Sequence, residues 1–283
     1  MPSALVTGAG RGLGQAIARM LVARGFEVAV TDVDGPAAEA AAEDLAPAGG
    51  SGSRAAGSAW ARGLDVRDAE ACAEAAREVA SRAGALDLWV NNAGVLFPGV
   101  SYEQEPALQR TMLEVNAIGT FNGTLAALEQ MRARGSGHVI NVVSLAGLVA
   151  APGEVAYSAS KHAALAFSIG TLADLRRSGV KGIHVSAVCP SGIWSPMLED
   201  KLDDPDAAAS FAGTMLTPEE VAARMEVVLD SPRPILAIPR WRGAYVRLFD
   251  VFPRLTMRLL PLVMADARRR QARFRRRLER EAR

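Results

Sequence analysis

The sequence predicts an α/β fold, a three-layer αβα sandwich built on a central parallel sheet of about seven strands. Short apolar runs alternate with segments of helical period along most of the chain, as they do where crossover helices join parallel strands. A glycine-rich turn links the first apolar run to the first helical segment, so the chain opens with a βαβ unit. Hydrophobic residues make up 49% and charged residues 22% of the 283, enough to build one sizeable core.

The elements follow in order. Ser3 to Thr7 is the first strand, and Gln15 to Arg24 is a helix with Ala16, Ile17, Met20 and Leu21 at helical spacing. Gly25 ends that helix, and Glu27 to Thr31 is a second buried strand that stops at Asp32. Pro36 to Leu45 is an Ala/Glu-rich helix, and Pro47 to Gly57, rich in Gly, Ser and Pro, is a long surface loop. Ser58 to Asp65 and Leu86 to Asn91 are strands on either side of a helix from Ala69 to Ala83. Glu105 to Gln130 reads as one long helix with Asn116 in its middle. His138 to Val143 and Gly182 to Cys189 are strands around a helix from Ala156 to Ser178. Ile193 to Met215 is irregular and reads as a lid. Thr217 caps a helix running to Leu229, with Pro218 at its first position and Glu220 completing a capping box. Ile235 to Pro239 is the final strand. One domain, residues 1–242, accounts for these elements, and residues 243–283 form a helical extension.

Composition narrows the function classes. The two cysteines, Cys72 and Cys189, stand far apart with no metal-ligating neighbours, which predicts a reducing compartment, no disulfide and no metal site. The N-terminus MPSALVTGAG lacks the basic and apolar regions of a signal peptide, and no stretch reaches eighteen uninterrupted apolar residues. A cytoplasmic location is therefore expected.

The turn Thr7-Gly8-Ala9-Gly10-Arg11-Gly12-Leu13-Gly14 has the spacing T-G-x-x-x-G-x-G. Such glycines permit a tight turn and bring backbone N–H groups close to a pyrophosphate at a helix N-terminus. Asp32 follows Gly14 by 18 residues and ends the second strand. A carboxylate there accepts bonds from both ribose hydroxyls and repels a 2′-phosphate, which favours NAD over NADP. Arg11 argues weakly for NADP, because a cation in the loop could neutralise that phosphate. Ser144, Tyr157 and Lys161 close the set. Tyr157 and Lys161 share a helix face at i,i+4, and an ammonium beside a phenol favours the phenolate. Alone, Tyr-x-x-x-Lys describes a helix surface with a lysine on it.

TGAGRGLG, Asp65-Val66, Asn91-Asn92-Ala93-Gly94, Asn116, Ser144 and Tyr157-x-x-x-Lys161 occur in this order. Together they resemble the short-chain dehydrogenase/reductase family, in its un-extended Rossmann branch, over about Ala4 to Pro239. The resemblance implies that Asp65 meets the adenine amino group with the Val66 backbone beside it. Asn92, Ala93 and Gly94 would line the adenosine side, and Asn116 would interrupt its helix and hold a water for a proton relay. Tyr157 would be the general acid/base, Ser144 a hydrogen-bond donor to the reacting oxygen, and Lys161 the group that binds the nicotinamide ribose and lowers the tyrosine pKa. Pro190, Ile193 and Ser195 resemble the family's Pro-Gly segment that contacts the cofactor, with Ser191 where Gly is usual and Ser195 where Thr is usual. His138 and His162 are excluded from catalysis by position: one starts a strand and the other faces away from Lys161.

Leu96, Phe97, Leu145, Val149, Val155, Trp194, Met197 and Leu198 stand near these motifs and suggest an apolar pocket under the lid. Lys201 is the only cation in the lid, so a hydrophobic alcohol or ketone, such as a steroid-, retinoid-like or long-chain one, fits best. The expectation is an NAD-dependent alcohol dehydrogenase or ketone reductase, forming a homodimer or homotetramer. Its rivals are an NADP-dependent 3-oxoacyl or carbonyl reductase and a non-catalytic cofactor-binding sensor or scaffold. Residues 240–283 carry fourteen arginines against four acidic residues, whereas the rest of the chain is net acidic. An apolar face interrupted by Pro253 and Pro261, then an Arg-rich helix from Ala265 to Arg283, reads as a peripheral membrane contact or as a packing or subunit arm. The Arg helix lacks the interleaved aromatics that a nucleic-acid reading needs.

Overall fold

The run SALVT is buried at all five positions and forms β1 (Ser3–Thr7), the pivot of the sheet. The computed structural model describes residues 1–45 and 57–281, so the loop predicted over residues 47–57 lies outside the described residues except for Gly57. β2 (Glu27–Asp32) and β3 (Ser58–Gly63) extend the sheet to one side of β1. β4 (Leu88–Asn91), β5 (Gly137–Val142), β6 (Ile183–Pro190) and β7 (Ile235–Ile238) extend it to the other. All pairings are parallel, and the order is β3-β2-β1-β4-β5-β6-β7. The strand order reverses between β1 and β4, and the crevice beyond their C-terminal ends is where a doubly wound sheet takes a ligand.

Alternation along β1 sends Val6 to one face and Leu5 to the other, each fully buried. On the Val6 face pack α1 (Gly12–Ala23) and α2 (Gly35–Leu45), with Ile17 and Leu21 in the centre. On the Leu5 face lies α3 (Ala69–Ala83), capped by the Asp68 carboxylate, which accepts from the N–H groups of Glu70 and Ala71. The helix predicted as one piece is divided into α4 (Pro106–Leu113), a π-helical turn (Glu114–Ile118) and α5 (Gly119–Arg134). Asn116 is the middle residue of that π turn. α5 lies close on β4 because Gly123 faces it: a Cβ there would sit 2.1 Å from Asn91 Oδ1. α6 (Val155–Arg177) completes this layer with Leu175.

The lid is more regular than predicted. It contains α7 (Pro196–Glu199) and a 3₁₀ helix (Pro205–Phe211), because Pro196 and Pro205 each start a turn and the Asp204 carboxylate caps the second. A bridge between Ile193 and Leu216 ties its two ends. The Thr217–Glu220 capping box forms as predicted and starts α8 (Pro218–Met225), which packs Val221 and Met225 on the Val6 face. The predicted run to Leu229 breaks at Glu226 and resumes as α9 (Val227–Asp230).

The C-terminal segment differs most. α10 (Arg240–Val251) begins directly after β7, so the boundary drawn after residue 242 falls inside a helix. α11 (Pro253–Glu281) starts at Pro253, not Ala265, and carries Pro261 in its interior. A proline costs nothing at a first turn, and α11 continues past Pro261. Ala267 is fully buried and Gln271 nearly so. The Gln271 amide donates to the carbonyl oxygens of Leu202 at 3.0 Å and Asp204 at 2.8 Å, inside the lid. Phe274 inserts between Trp194 and Phe211, with ring centroids at 4.9 and 6.1 Å. Truncating Phe274 to alanine is expected to cost about 2 kcal/mol, as for a partly buried aromatic. Urea unfolding measures the loss, and hydrogen exchange should quicken over residues 205–211. Unchanged exchange there would show that α11 does not hold the lid.

Candidate active site

The glycine-rich turn is held from both sides. Thr7 Oγ1 accepts from the N–H groups of Asn92 and Ala93, each at 3.0 Å. The Asn92 amide returns two bonds, to the carbonyl oxygens of Thr7 and Gly8 at 3.0 Å. A Cβ at Gly14 would lie 2.1 Å from Gly8 O and 2.6 Å from Asn92 Nδ2, so only glycine allows the turn to close on α1. The first turn of α1 holds no acidic residue, and Arg11 at its N-cap makes no side-chain cap bond, so its N–H groups and dipole suit an anion.

Asp32 does two things. Its Oδ2 accepts from Gly10 N at 3.0 Å and its Oδ1 from Asp34 N at 3.1 Å, while its carboxylate also forms part of the wall of a cavity of about 1180 Å³. Every predicted site residue except Gly10 and Asn116 lies in that one wall, from the loop and Asp65 through Ser144, Tyr157 and Lys161 to Pro190, Ile193 and Ser195. Gly10 stands behind it, braced on Asp32. Asp65 is gripped by Arg67, Nε to Oδ1 at 3.0 Å and Nη2 to Oδ2 at 2.5 Å, which holds its carboxyl below the usual range.

Asn116 is fully buried and its side chain is engaged in the frame. Oδ1 accepts from Val95 N at 2.8 Å, and Nδ2 donates to Val95 O at 2.9 Å and Ser160 Oγ at 3.0 Å. Its side chain thus clamps the strand-end turn to α6. Gly94 lies between it and the lysine: a Cβ there would sit 3.2 Å from Asn116 Oδ1 and 3.5 Å from Lys161 Nζ.

Tyr157 and Lys161 stand one turn apart on α6. Lys161 is buried, its Nζ donates to Val142 O at 3.0 Å, and it lies 5.7 Å from the centre of the Tyr157 ring. Burial pulls its pKa down to about 8. Enclosure of the Tyr157 hydroxyl pushes its pKa above the ordinary value, the Glu154 carboxylate pushes the same way, and a hydrogen bond from Ser144 pulls it down. The Lys161 ammonium itself is turned to a backbone carbonyl.

Glu154, three residues before Tyr157, escaped the sequence reading. It is 3% exposed, lies in the cavity wall, and its Oε1 accepts from Ser210 N at 3.1 Å and Ser210 Oγ at 2.6 Å. Burial pushes its pKa up to about 7. It therefore joins the lid to the start of α6, the helix that carries Tyr157 and Lys161. An acid one turn before a Tyr–Lys pair was the signal available.

The substrate side also needs correcting. Leu96, Phe97, Leu145, Val149, Met197 and Leu198 line the cavity as expected. Val155 is exposed, and Trp194 turns away to pack on Phe274. The roof comes instead from α10 and α11, with Tyr245, Val246, Phe249, Leu260 and Val263. Two cations, Arg242 and Arg270, come with it, contrary to a pocket free of them. Arg270 is paired with Asp266 at 2.6 Å. Arg242 Nε is buried without a partner, and burial together with the Arg270 charge holds its pKa below the usual value. Its Nη1 would lie 1.1 Å from a Cβ at Gly213, so the lid has a glycine where this guanidinium crosses.

A doubly wound sheet, a phosphate-type loop at its switch point and a Ser/Tyr/Lys cluster in one cavity define a dinucleotide-dependent class of oxidoreductase. The chain matches the short chain dehydrogenase family over residues 2–206, and it belongs to that family. It is 30% identical over 231 residues to the oxidoreductase UcpA of Escherichia coli K12, covering 80% of this chain and 84% of that one. It is 33% identical over 232 residues to an acetoacetyl-CoA reductase of Shinella zoogloeoides, covering 81% and 90%. Its fold is similar to that of a short chain dehydrogenase/reductase from Burkholderia phymatum solved with NAD, with TM-score 0.79, 24% identity and coverage of 90% and 95%.

Proposed function

We propose that the protein transfers a hydride between NAD(H) and a secondary alcohol or ketone on a predominantly apolar substrate. The observation that carries this is a single cavity joining the loop and Asp32 at one end to Ser144, Tyr157 and Lys161 at the other. The nicotinamide group, when bound, would supply the hydride chemistry. The α1 N-terminus and the loop N–H groups would hold its pyrophosphate, Asp32 the adenosine ribose, and Lys161 the second ribose. In oxidation the Tyr157 oxygen takes the proton of the substrate hydroxyl, and in reduction it returns it. Ser144 Oγ, fixed by Ala146 N at 3.1 Å, donates to the same substrate oxygen as charge develops on it.

A second reading, an NADP-dependent 3-oxoacyl or carbonyl reductase, is favoured by two observations. Arg11 is exposed in the cavity wall, where its charge could neutralise a 2′-phosphate, and the unpaired Arg242 suits an acyl group with an oxygen-rich end. The names of the acetoacetyl-CoA relative and of a 34% identical 3-oxoacyl reductase from Staphylococcus aureus point the same way.

Titrating NADH and NADPH separately by fluorescence decides the cofactor. NADH is expected to bind at least about tenfold more tightly, because like charges placed together cost more than 1.4 kcal/mol. Asp32→Asn keeps an acceptor for Gly10 and removes the charge, so it should raise relative NADPH affinity. Tight NADPH binding with none of NADH in the parent would overturn the assignment. A panel of apolar alcohols and ketones, with 3-oxoacyl thioesters beside them, then separates the two substrate classes.

A further inference from the structure

Among the described residues, half of the large exposed apolar side chains, nine of eighteen, lie within residues 241–262. Scattered exposure is ordinary, but concentration in one short segment is not. On α10 the exposed residues Trp241, Tyr245 and Leu248 follow helical spacing, with Phe252 just past its end, and on α11 Leu255, Leu259 and Leu262 do the same. Leu248, Phe252, Leu255 and Leu259 are not among the residues that dock the two helices. Val246, Phe249, Leu260, Val263 and Ala267 face the cavity and the body. The outer face is surplus to folding.

Its charge is one-sided. Residues 240–264 hold five arginines and one acidic residue. Arg240, Arg247, Arg254 and Arg258 are exposed, and none has an acidic partner among the described residues. We infer that this face docks on an anionic lipid surface, with the apolar side chains in the headgroup boundary and the arginines among the phosphates. A second copy fits worse, because a two-fold contact sets the same arginines against themselves. No helix among the described residues is long and apolar enough to cross a membrane, so the contact lies on the surface.

The position of the face gives it a use. Trp241, Tyr245 and Leu262 are exposed and also line the active-site cavity, so the cavity opens where the lipid would be. An apolar substrate dissolved in the bilayer then reaches Tyr157 without crossing water. This last step rests on the proposed substrate class, whereas the docking itself does not, and the test below reads docking alone.

The full chain is floated with vesicles of phosphatidylcholine alone and of phosphatidylcholine with phosphatidylserine, at low and high salt. It should rise with the anionic vesicles, less so at high salt. Arg254→Gln with Arg258→Gln should lower the partition by about tenfold or more, and Leu248→Ser with Leu255→Ser by a similar factor. None of these four lines the cavity, so NADH titration should be unchanged in both variants and reports separately on the oxidoreductase reading. Failure of the parent to float with anionic vesicles would overturn the inference. So would a leucine variant whose sedimentation mass falls from dimer or tetramer to monomer while vesicle binding persists, since the face would then be a subunit contact.

Discussion

Tyr157→Phe is expected to lower turnover by about a thousandfold or more while dinucleotide affinity stays near that of the parent. The substitution removes one oxygen. It leaves the ring, its packing and the Lys161–Val142 bond in place, so the fold and the dinucleotide end of the cavity are undisturbed. On the proposed mechanism, what is lost is the atom that exchanges a proton with substrate, which no neighbour can replace. Ser144 is held at 3.1 Å by Ala146 N, and the buried Lys161 ammonium points to a backbone carbonyl. Ser144→Ala should cost about a hundredfold, as for one oxyanion donor. Single-turnover rates with NADH titrations measure both. Turnover surviving in Tyr157→Phe would remove this residue as the acid/base and revive a non-catalytic role for the fold.

Most of this arrangement could be read from local signals. The sheet was legible because each strand is a short buried run ending in a turn, and Thr217, Pro218 and Glu220 spell a cap that depends only on its own residues. The motif residues share one wall because the strand C-terminal ends that carry them must converge at the switch point. What stayed hidden depends on long-range packing. Trp194 looks like a pocket residue by sequence position, yet it is claimed by Phe274, eighty residues on. Arg242 and Tyr245 look like surface residues of an appended tail, and only the return of α11 over the lid makes them a roof. Pro253 and Pro261 read as breaks, because a sequence pattern does not reveal which contacts hold a helix across a missing bond. Spacing places Lys161 one turn away but does not say which acceptor its ammonium finds, and here that is Val142 O.

Glu154→Gln should change both stability and the pH profile, in directions fixed by the carboxylate's burial. Glu154 has an ordinary value of 4.5 and is pushed up to about 7 in the folded chain. Between these limits the unfolded chain has already released the proton that the folded chain retains, so stability falls as pH rises from about 4.5 to about 7. Above that window the buried charge costs on the order of 3 kcal/mol, and below it nothing. Glutamine keeps an acceptor for Ser210 and carries no charge. The variant should therefore be more stable than the parent at pH 8 and equal to it near pH 4, with the difference opening across the window. Its second effect is on catalysis. The Glu154 carboxylate helps to raise the Tyr157 pKa, so its neutralisation should move the tyrosine limb of the oxidation profile to lower pH. Urea unfolding at the two pH values and kcat/KM across the range test these separately. A lid latch without electrostatic coupling would change lid stability and leave the limb where it was. A limb that moves to higher pH would mean that Glu154 acts on Tyr157 through geometry and not through its charge.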